Sequence, residues 1–328
     1  MIKRVLAGLA LAATLLVVIS ATAGADPGAG EVTADDVAIA APGGTTLAGT
    51  VVSPVDAVGA MPAMVLVHGS GEGRRERLRP LAEELAGRGV VTLIYDKRTD
   101  GYGPRTRNYS VLADDALAAH AVLAEWNGVD PERVGLWGVS EGGWVVPLAA
   151  SRSDAVDFVI TVAANTITPA QQEQWNLGSK LDHHGVTGSL QRAYGLTLTR
   201  QVMGNGLFAE AEYDPLPALR ALRQPLLALW GEYDRLTPPA ESLTTFRSVL
   251  DDVGHPSHVL RVIAGADHAL HETSDGYTNT GSWAPGYLDV MTSWIEDLAD
   301  GNPPPSAADD PPPQDRATMP VEPLAWWE

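Results

Sequence analysis

Val134-Gly135-Leu136-Trp137-Gly138-Val139-Ser140-Glu141-Gly142-Gly143-Trp144-Val145-Val146 is the stretch from which the fold can be read. Val134 to Trp137 is apolar and strand-like, and Gly142 onward opens a helix. Between them stands Gly138-x-Ser140-x-Gly142. Three fixed positions recur by chance, so the pattern draws its weight from that context. A strand turning sharply into a helix at a serine lifts the hydroxyl clear of the sheet, and so tight a turn tolerates only small neighbours. The helix aims its N-terminus at the site, where it favours developing negative charge. Pro147 is awkward inside a regular helix and predicts a kink.

Working outward, Asp36–Ala41 and Thr45–Ser53 read as a hairpin around Pro42-Gly43-Gly44. Apolar runs follow at Ala63–Val67, Val90–Tyr95, Val134–Val139, Phe158–Ala163, Leu226–Trp230 and His258–Ile263. Several are continuous rather than alternating, as in strands covered on both faces of a parallel sheet. Helical spacing appears over Leu78–Gly87, Val111–Trp126, Gly142–Ser151, Pro239–Asp252 and Gly286–Leu298. The alternation predicts an α/β fold with a mostly parallel, doubly wound sheet over residues 35–300. Residues 165–224 break the rhythm with no strand pattern but many apolar positions, among them Trp175, Tyr194, Met203, Phe208 and Tyr213. A long insertion in a compact domain is usually functional, and ligands bind beyond the carboxyl ends of the strands. These residues are therefore expected to form a helical cap over that edge.

A serine hydroxyl is a weak nucleophile until a base takes its proton. In a strand–Ser–helix arrangement an acid and then a histidine follow the serine along the chain. His268 lies just past the last strand and is the expected base; His255, His258 and His271 compete from less suitable positions. Asp234, in Gly231-Glu232-Tyr233-Asp234 after the preceding strand, is the expected partner that orients the imidazole, with Glu232 as runner-up. Asp267, adjacent to His268, is placed to shape the loop instead. An oxyanion needs two backbone N–H donors. Glu141 supplies one, and the loop His68-Gly69-Ser70-Gly71 supplies the other, through Ser70 or alternatively Gly71. His68 is read as a brace for that loop.

These motifs together resemble the α/β-hydrolase superfamily, and within it a bacterial esterase and serine-aminopeptidase-like group. That group carries an H-G-S-G loop, a Y-D-K-R segment, a G-x-S-x-G-G elbow and a late G-x-x-D-x-x-x-P. Here they are His68–Gly71, Tyr95-Asp96-Lys97-Arg98, Gly138–Gly143 and Gly231–Pro238. The chain departs from the pattern after Arg98, where Thr99-Asp100-Gly101-Tyr102-Gly103 replaces an immediate glycine. The resemblance implies hydrolysis of a small-molecule carboxylic ester through an acyl-enzyme on Ser140, with no metal or organic cofactor. Lys97 and Arg98 are read as structural ion-pair residues. His183-His184 and His268-Ala269-Leu270-His271 lack the acidic or cysteine partners of a metal set. Competing readings are a peptidase or amidase using the same triad, with Glu141 or Glu173 receiving a substrate amine, and a silent binding module.

Composition narrows the partners. The formal charge is −19, which disfavours nucleic acid and anionic lipid. There is no cysteine, so no disulfide and no thiol-linked lipid. Lys3-Arg4, the apolar run Val5–Ile19 and Ala21-Thr22-Ala23-Gly24-Ala25 read as a secretory signal over residues 1–25, cleaved after Ala23 or Ala25. Secretion, with no stable membrane insertion after cleavage, is the expectation. From residue 301 to 328 the chain is proline-rich and acidic, and disorder is expected.

Overall fold

A computed structural model describes residues 30–55, 59–189, 191, 197, 207–301, 303–314, 316–319 and 321. The signal segment lies outside the described residues.

The chain opens with strands β1 (Val32–Ala41) and β2 (Thr45–Pro54), joined by a turn in which Gly43 and Gly44 have φ of 82° and 80°. β3 (Met61–Val67), helix α1 (Arg79–Gly87) and β4 (Val91–Tyr95) follow. Next come α2 (Tyr109–Ala124), β5 (Val129–Val139), α3 (Gly142–Ala150) and β6 (Val159–Val162). The chain continues through α4 (Pro169–His183), α5 (Leu216–Ala221), β7 (Leu226–Gly231), α6 (Pro239–Asp252) and β8 (His258–Ile263). It ends with β9 (His271–Thr273), β10 (Asn279–Trp283), α7 (Tyr287–Ala299) and β11 (Ala307–Ala308).

The main sheet has the order β1-β2-β4-β3-β5-β6-β7-β8-β11. β1–β2 and β2–β4 are antiparallel, and every pairing from β4–β3 onward is parallel. The middle strands explain themselves: VTLIY, VITV and LLALWG are buried at every position, as layers on both faces require. One face packs on α2, α3, α5 and α6 through Leu112, Val145, Leu219 and Phe246. The other packs on α1 and α7 through Leu85, Met291 and Trp294. α2 starts two residues earlier than the periodicity suggests, because Asn108 Oδ1 accepts Val111 N (3.2 Å) and caps it there. Pro147 is accommodated within α3, a helix of nine residues.

Two features differ from expectation. The β9–β10 hairpin was not legible, because three- and five-residue polar strands carry no alternation. The proline-rich tail is not disordered over 303–314. There it adds β11 beside β8, pairing Ala307 with Val259 and Ala308 with Leu260. Asp309 holds the register, accepting Val262 N (2.9 Å) and pairing with Arg261 Nη1 (2.7 Å). Farther on, Arg316 donates to Trp175 O (3.1 Å) and pairs with Asp182, while Thr318 Oγ1 donates to Glu241. The side chains of Ser306, Asp309, Arg316 and Thr318 supply anchors that a composition argument does not weigh.

Candidate active site

β5 runs straight into Ser140, whose φ is +56°, a backbone conformation rare for a residue bearing a Cβ. The chain accepts it because the surroundings fix the turn. Ser140 N donates to Val162 O (2.9 Å), and Gly143 N donates to Ser140 O (2.8 Å). The flanking glycines are there for space. A Cβ at Gly138 would lie 2.6 Å from the carbonyl carbon of Gly142, and one at Gly142 would lie 2.6 Å from Val67 O. Ser140 is partly exposed at the start of α3.

Asp234 follows β7 and is wholly buried. Its Oδ1 accepts Leu236 N (2.8 Å) and Thr237 N (2.9 Å), and its Oδ2 accepts Thr237 Oγ1 (2.5 Å). The same Oδ2 meets His268 Nδ1 at 2.9 Å. Burial disfavours the imidazolium of His268, but the Asp234 carboxylate outweighs it, and the net shift is upward from the usual histidine value. Nδ1 thus carries the proton toward Asp234 and Nε2 remains for a reacting group. Asp267 shapes the loop: its Oδ1 accepts Ala269 N and His271 N (both 2.9 Å), and its Oδ2 accepts Asn279 Nδ2 (2.7 Å). Glu232 holds the loop's start, accepting Gly265 N (2.9 Å).

The competing histidines are engaged elsewhere or set apart. His258 sits between Ser306 and Asp251, His271 stacks on Trp283, and His255 is buried beside His258. Among the described residues no hydrogen bond joins Ser140 Oγ to His268 Nε2. Such contacts are often long before substrate binds. Asp234 and His268 are in contact, and Ser140 stands at the same carboxyl edge of the sheet, two strands from β7.

The donor loop after β3 packs directly on the serine turn, since a Cβ at Gly69 would touch Ser140 Cβ at 3.3 Å. Gly71 N is already spent on Tyr102 OH (3.0 Å). Neither Ser70 N nor Glu141 N is hydrogen-bonded within the described residues. His68 Nε2 donates to Tyr95 O (2.8 Å). Burial, helped by Lys97, drives its pKa down to about 3, so it is a neutral brace.

The carboxylate of Glu141 is buried, 1% exposed, and holds two cations: Lys97 Nζ at 2.8 Å and Arg107 Nη1 at 2.7 Å. Tyr102 OH donates to the same Oε1 (2.8 Å). Burial opposes ionisation of Glu141, but Lys97 and Arg107 more than offset it, and its pKa is lowered. Arg98 pairs with Asp115. Sequence reasoning assigned Lys97 and Arg98 to ion pairs but missed Arg107 and Tyr102. The one signal for Tyr102 was its place in the loop that departs from the family pattern.

The described part of the insertion reaches the same edge. Gln172 Nε2 donates to Leu236 O (2.7 Å), Phe208 lies 4.1 Å from the Arg107 guanidinium, and Tyr213 packs against Tyr109 and Trp144. Tyr194 and Met203 lie outside the described residues. His183 stacks on Tyr277, and among the described residues no cluster of three or more metal-ligating side chains occurs.

This fold, with its serine turn and its Asp–His pair, defines a hydrolase of the α/β-hydrolase superfamily. Residues 83–284 match the model of the prolyl oligopeptidase family, and the chain belongs to that family. It is similar to the esterase EstD of Thermotoga maritima, with 29% identity over 200 residues, 54% of this chain and 47% of that one. It is also similar to the quorum-quenching protein AidA of Acinetobacter baumannii, with 32% identity over 106 residues, 31% of this chain and 35% of that one. The chain thus spans between a third and a half of these relatives' length. A putative dienelactone hydrolase from Klebsiella pneumoniae superposes with a TM-score of 0.56 at 15% identity, over 81% of this chain and 99% of that one. That likeness concerns the fold.

Proposed function

We propose that the chain is a serine carboxylesterase that turns over a small-molecule ester through an acyl-enzyme. Ser140 Oγ attacks the carbonyl while His268 Nε2 takes its proton, and Asp234 holds the imidazole and balances its charge. The oxyanion rests on the amides of Ser70 and Glu141. His268 then protonates the leaving alcohol, and water repeats the sequence to release the acid. The observation that carries this reading is the 2.9 Å contact between His268 Nδ1 and Asp234 Oδ2 beside a serine at φ +56°.

The family name favours a second reading, cleavage of an amide by the same groups. Two features weigh against recognition of a substrate amine here. Glu141 is committed to Lys97 and Arg107, and burial raises the pKa of Glu173, which makes it a poorer counter-charge. Export by a cleaved signal belongs to the same proposal, as does the absence of nucleic-acid partners; among the described residues no helix is long and apolar enough to cross a membrane.

A fluorophosphonate probe is expected to label Ser140, and Ser140→Ala to abolish the labelling. His268→Ala is expected to lose turnover of p-nitrophenyl esters while retaining its fold. Folded wild-type protein that neither labels nor turns over esters would favour the silent module.

A further inference from the structure

Building on that reading of Ser140, we propose that the Glu141 carboxylate, clasped by Lys97, Arg107 and Tyr102, is the positioning device that aims both oxyanion donors. Glu141 is itself one donor residue, because its amide follows the nucleophile. Through its three partners its carboxylate is linked to three residues of the opposing donor loop. Through Lys97 it is tied to Gly69, whose carbonyl accepts Nζ at 2.5 Å. Through Arg107 it is tied to Ser70, whose Oγ lies 3.4 Å from Nη1. Through Tyr102 it is tied to Gly71, whose amide donates to the phenol oxygen at 3.0 Å. One buried carboxylate therefore joins three segments far apart in sequence: the donor loop after β3, residues 97–107 after β4, and the elbow after β5.

Packing alone does not call for this arrangement. Ion pairs taken out of water repay their desolvation poorly, and well-packed apolar residues often hold a core equally well. What charged groups add is direction, because hydrogen-bonded charges fix angles that apolar contacts leave loose. Sign matters too. Two cations surround the Glu141 carboxylate, so the pairing leaves excess positive charge beside the serine turn. His68, neutral and bonded to Tyr95 O, packs at the same loop and brings no countercharge. Preorganised donors in a water-poor site are the largest single contribution to many acyl transfers, and a donor swung away by a fraction of an ångström loses much of it.

The test uses the full-length chain and an ester series. Tyr102→Phe keeps the ring over Lys97 (4.4 Å to the centroid) and deletes only the hydroxyl that joins Glu141 to Gly71. It is expected to lower kcat about tenfold with KM within twofold. Glu141→Gln is expected to lower kcat by about 100-fold or more, since one cation then confronts an NH2 donor and the other keeps only a neutral oxygen. A trifluoromethyl ketone, which becomes an oxyanion on Ser140, should lose affinity in proportion to kcat/KM in both variants, while binding of the product acid stays unchanged. If Glu141→Gln fails to fold, Tyr102→Phe alone decides. A folded, fluorophosphonate-reactive Tyr102→Phe enzyme with wild-type kcat and ketone affinity overturns the proposal and leaves Ser140 as nucleophile. A raised KM at constant kcat overturns it too, by making the cluster part of substrate binding. A wild-type protein without labelling or ester turnover removes the underlying reading and this one with it.

Discussion

Consider replacing Asp234 by asparagine. The carboxylate's two oxygens are not equivalent. Oδ1 accepts two backbone amides, from Leu236 and Thr237, while Oδ2 faces Thr237 Oγ1 and His268 Nδ1. The amide oxygen of asparagine must take the Oδ1 place, since an NH2 there would confront two N–H donors. The NH2 group then faces His268 and donates to Nδ1. This forces the other tautomer, with the proton on Nε2, where the attacking hydroxyl needs an acceptor. The fold survives, because Thr237 Oγ1 can rotate to accept. In a serine protease the same exchange costs about 10,000-fold in kcat, or about 5.4 kcal/mol of barrier. A loss of that order is expected here, with KM little changed. The pH profile adds a second readout. With Asp234 in place, the pKa of His268 lies above the usual value, and activity rises as pH passes upward through it. In Asp234→Asn burial is opposed only by the weaker pull of Asp267, so the residual activity should have its acid limb at lower pH. The assay is p-nitrophenyl ester hydrolysis from pH 5 to 9 beside a thermal melt. A folded variant within tenfold of wild-type kcat would refute the reasoning.

Two further outcomes concern stability. Ending the chain after Gly301 removes β11, the Asp309 bonds to Arg261 and Val262, and the Arg316 contact with α4; melting followed by circular dichroism should fall by about 5–10 °C, and an unchanged Tm would mean the tail adds nothing. Acid should destabilise the fold before carboxylates protonate: burial lowers His68 to about 3 and His255 to about 4, so both stay neutral in the fold but take protons in the unfolded chain below about pH 6.5. Each then costs about 1.4 kcal/mol per pH unit on the way down. Glu141 adds a loss only below its usual range, and His268, shifted upward, works in the opposite sense. A Tm that stays flat from pH 7 to 4 would contradict this accounting.

Residues with a forced backbone or a buried strand were readable from sequence. Gly138 and Gly142 announce a turn too tight for side chains, and the continuous apolar runs of β4, β6 and β7 announce a sheet covered on both faces. Chain order on that frame nominated Ser140, Asp234 and His268, of which the structure brings Asp234 and His268 into contact. The Glu141 cluster was half legible. Lys97 suggested an ion pair, but nothing in Arg107 or Tyr102 reports which distant carboxylate they will meet, since that depends on how loops from three strands fold back. The tail was misread for a related reason. Its composition measures the absence of a core, whereas its order comes from a few polar anchors on surfaces formed elsewhere.

The position of β11 has a consequence for how copies of this protein meet one another. Without it, β8 would present a bare row of amides and carbonyls, the kind of border to which a foreign strand adheres. The cover is two residues long. Pro303-Pro304-Pro305 precedes it and Pro311-Pro312-Pro313 follows, and proline has no amide hydrogen to offer a newcomer. Asp310 places negative charge on the same rim, while the charge of Asp309 is met by Arg261. The sheet is thus closed to growth by a segment that is itself a poor template.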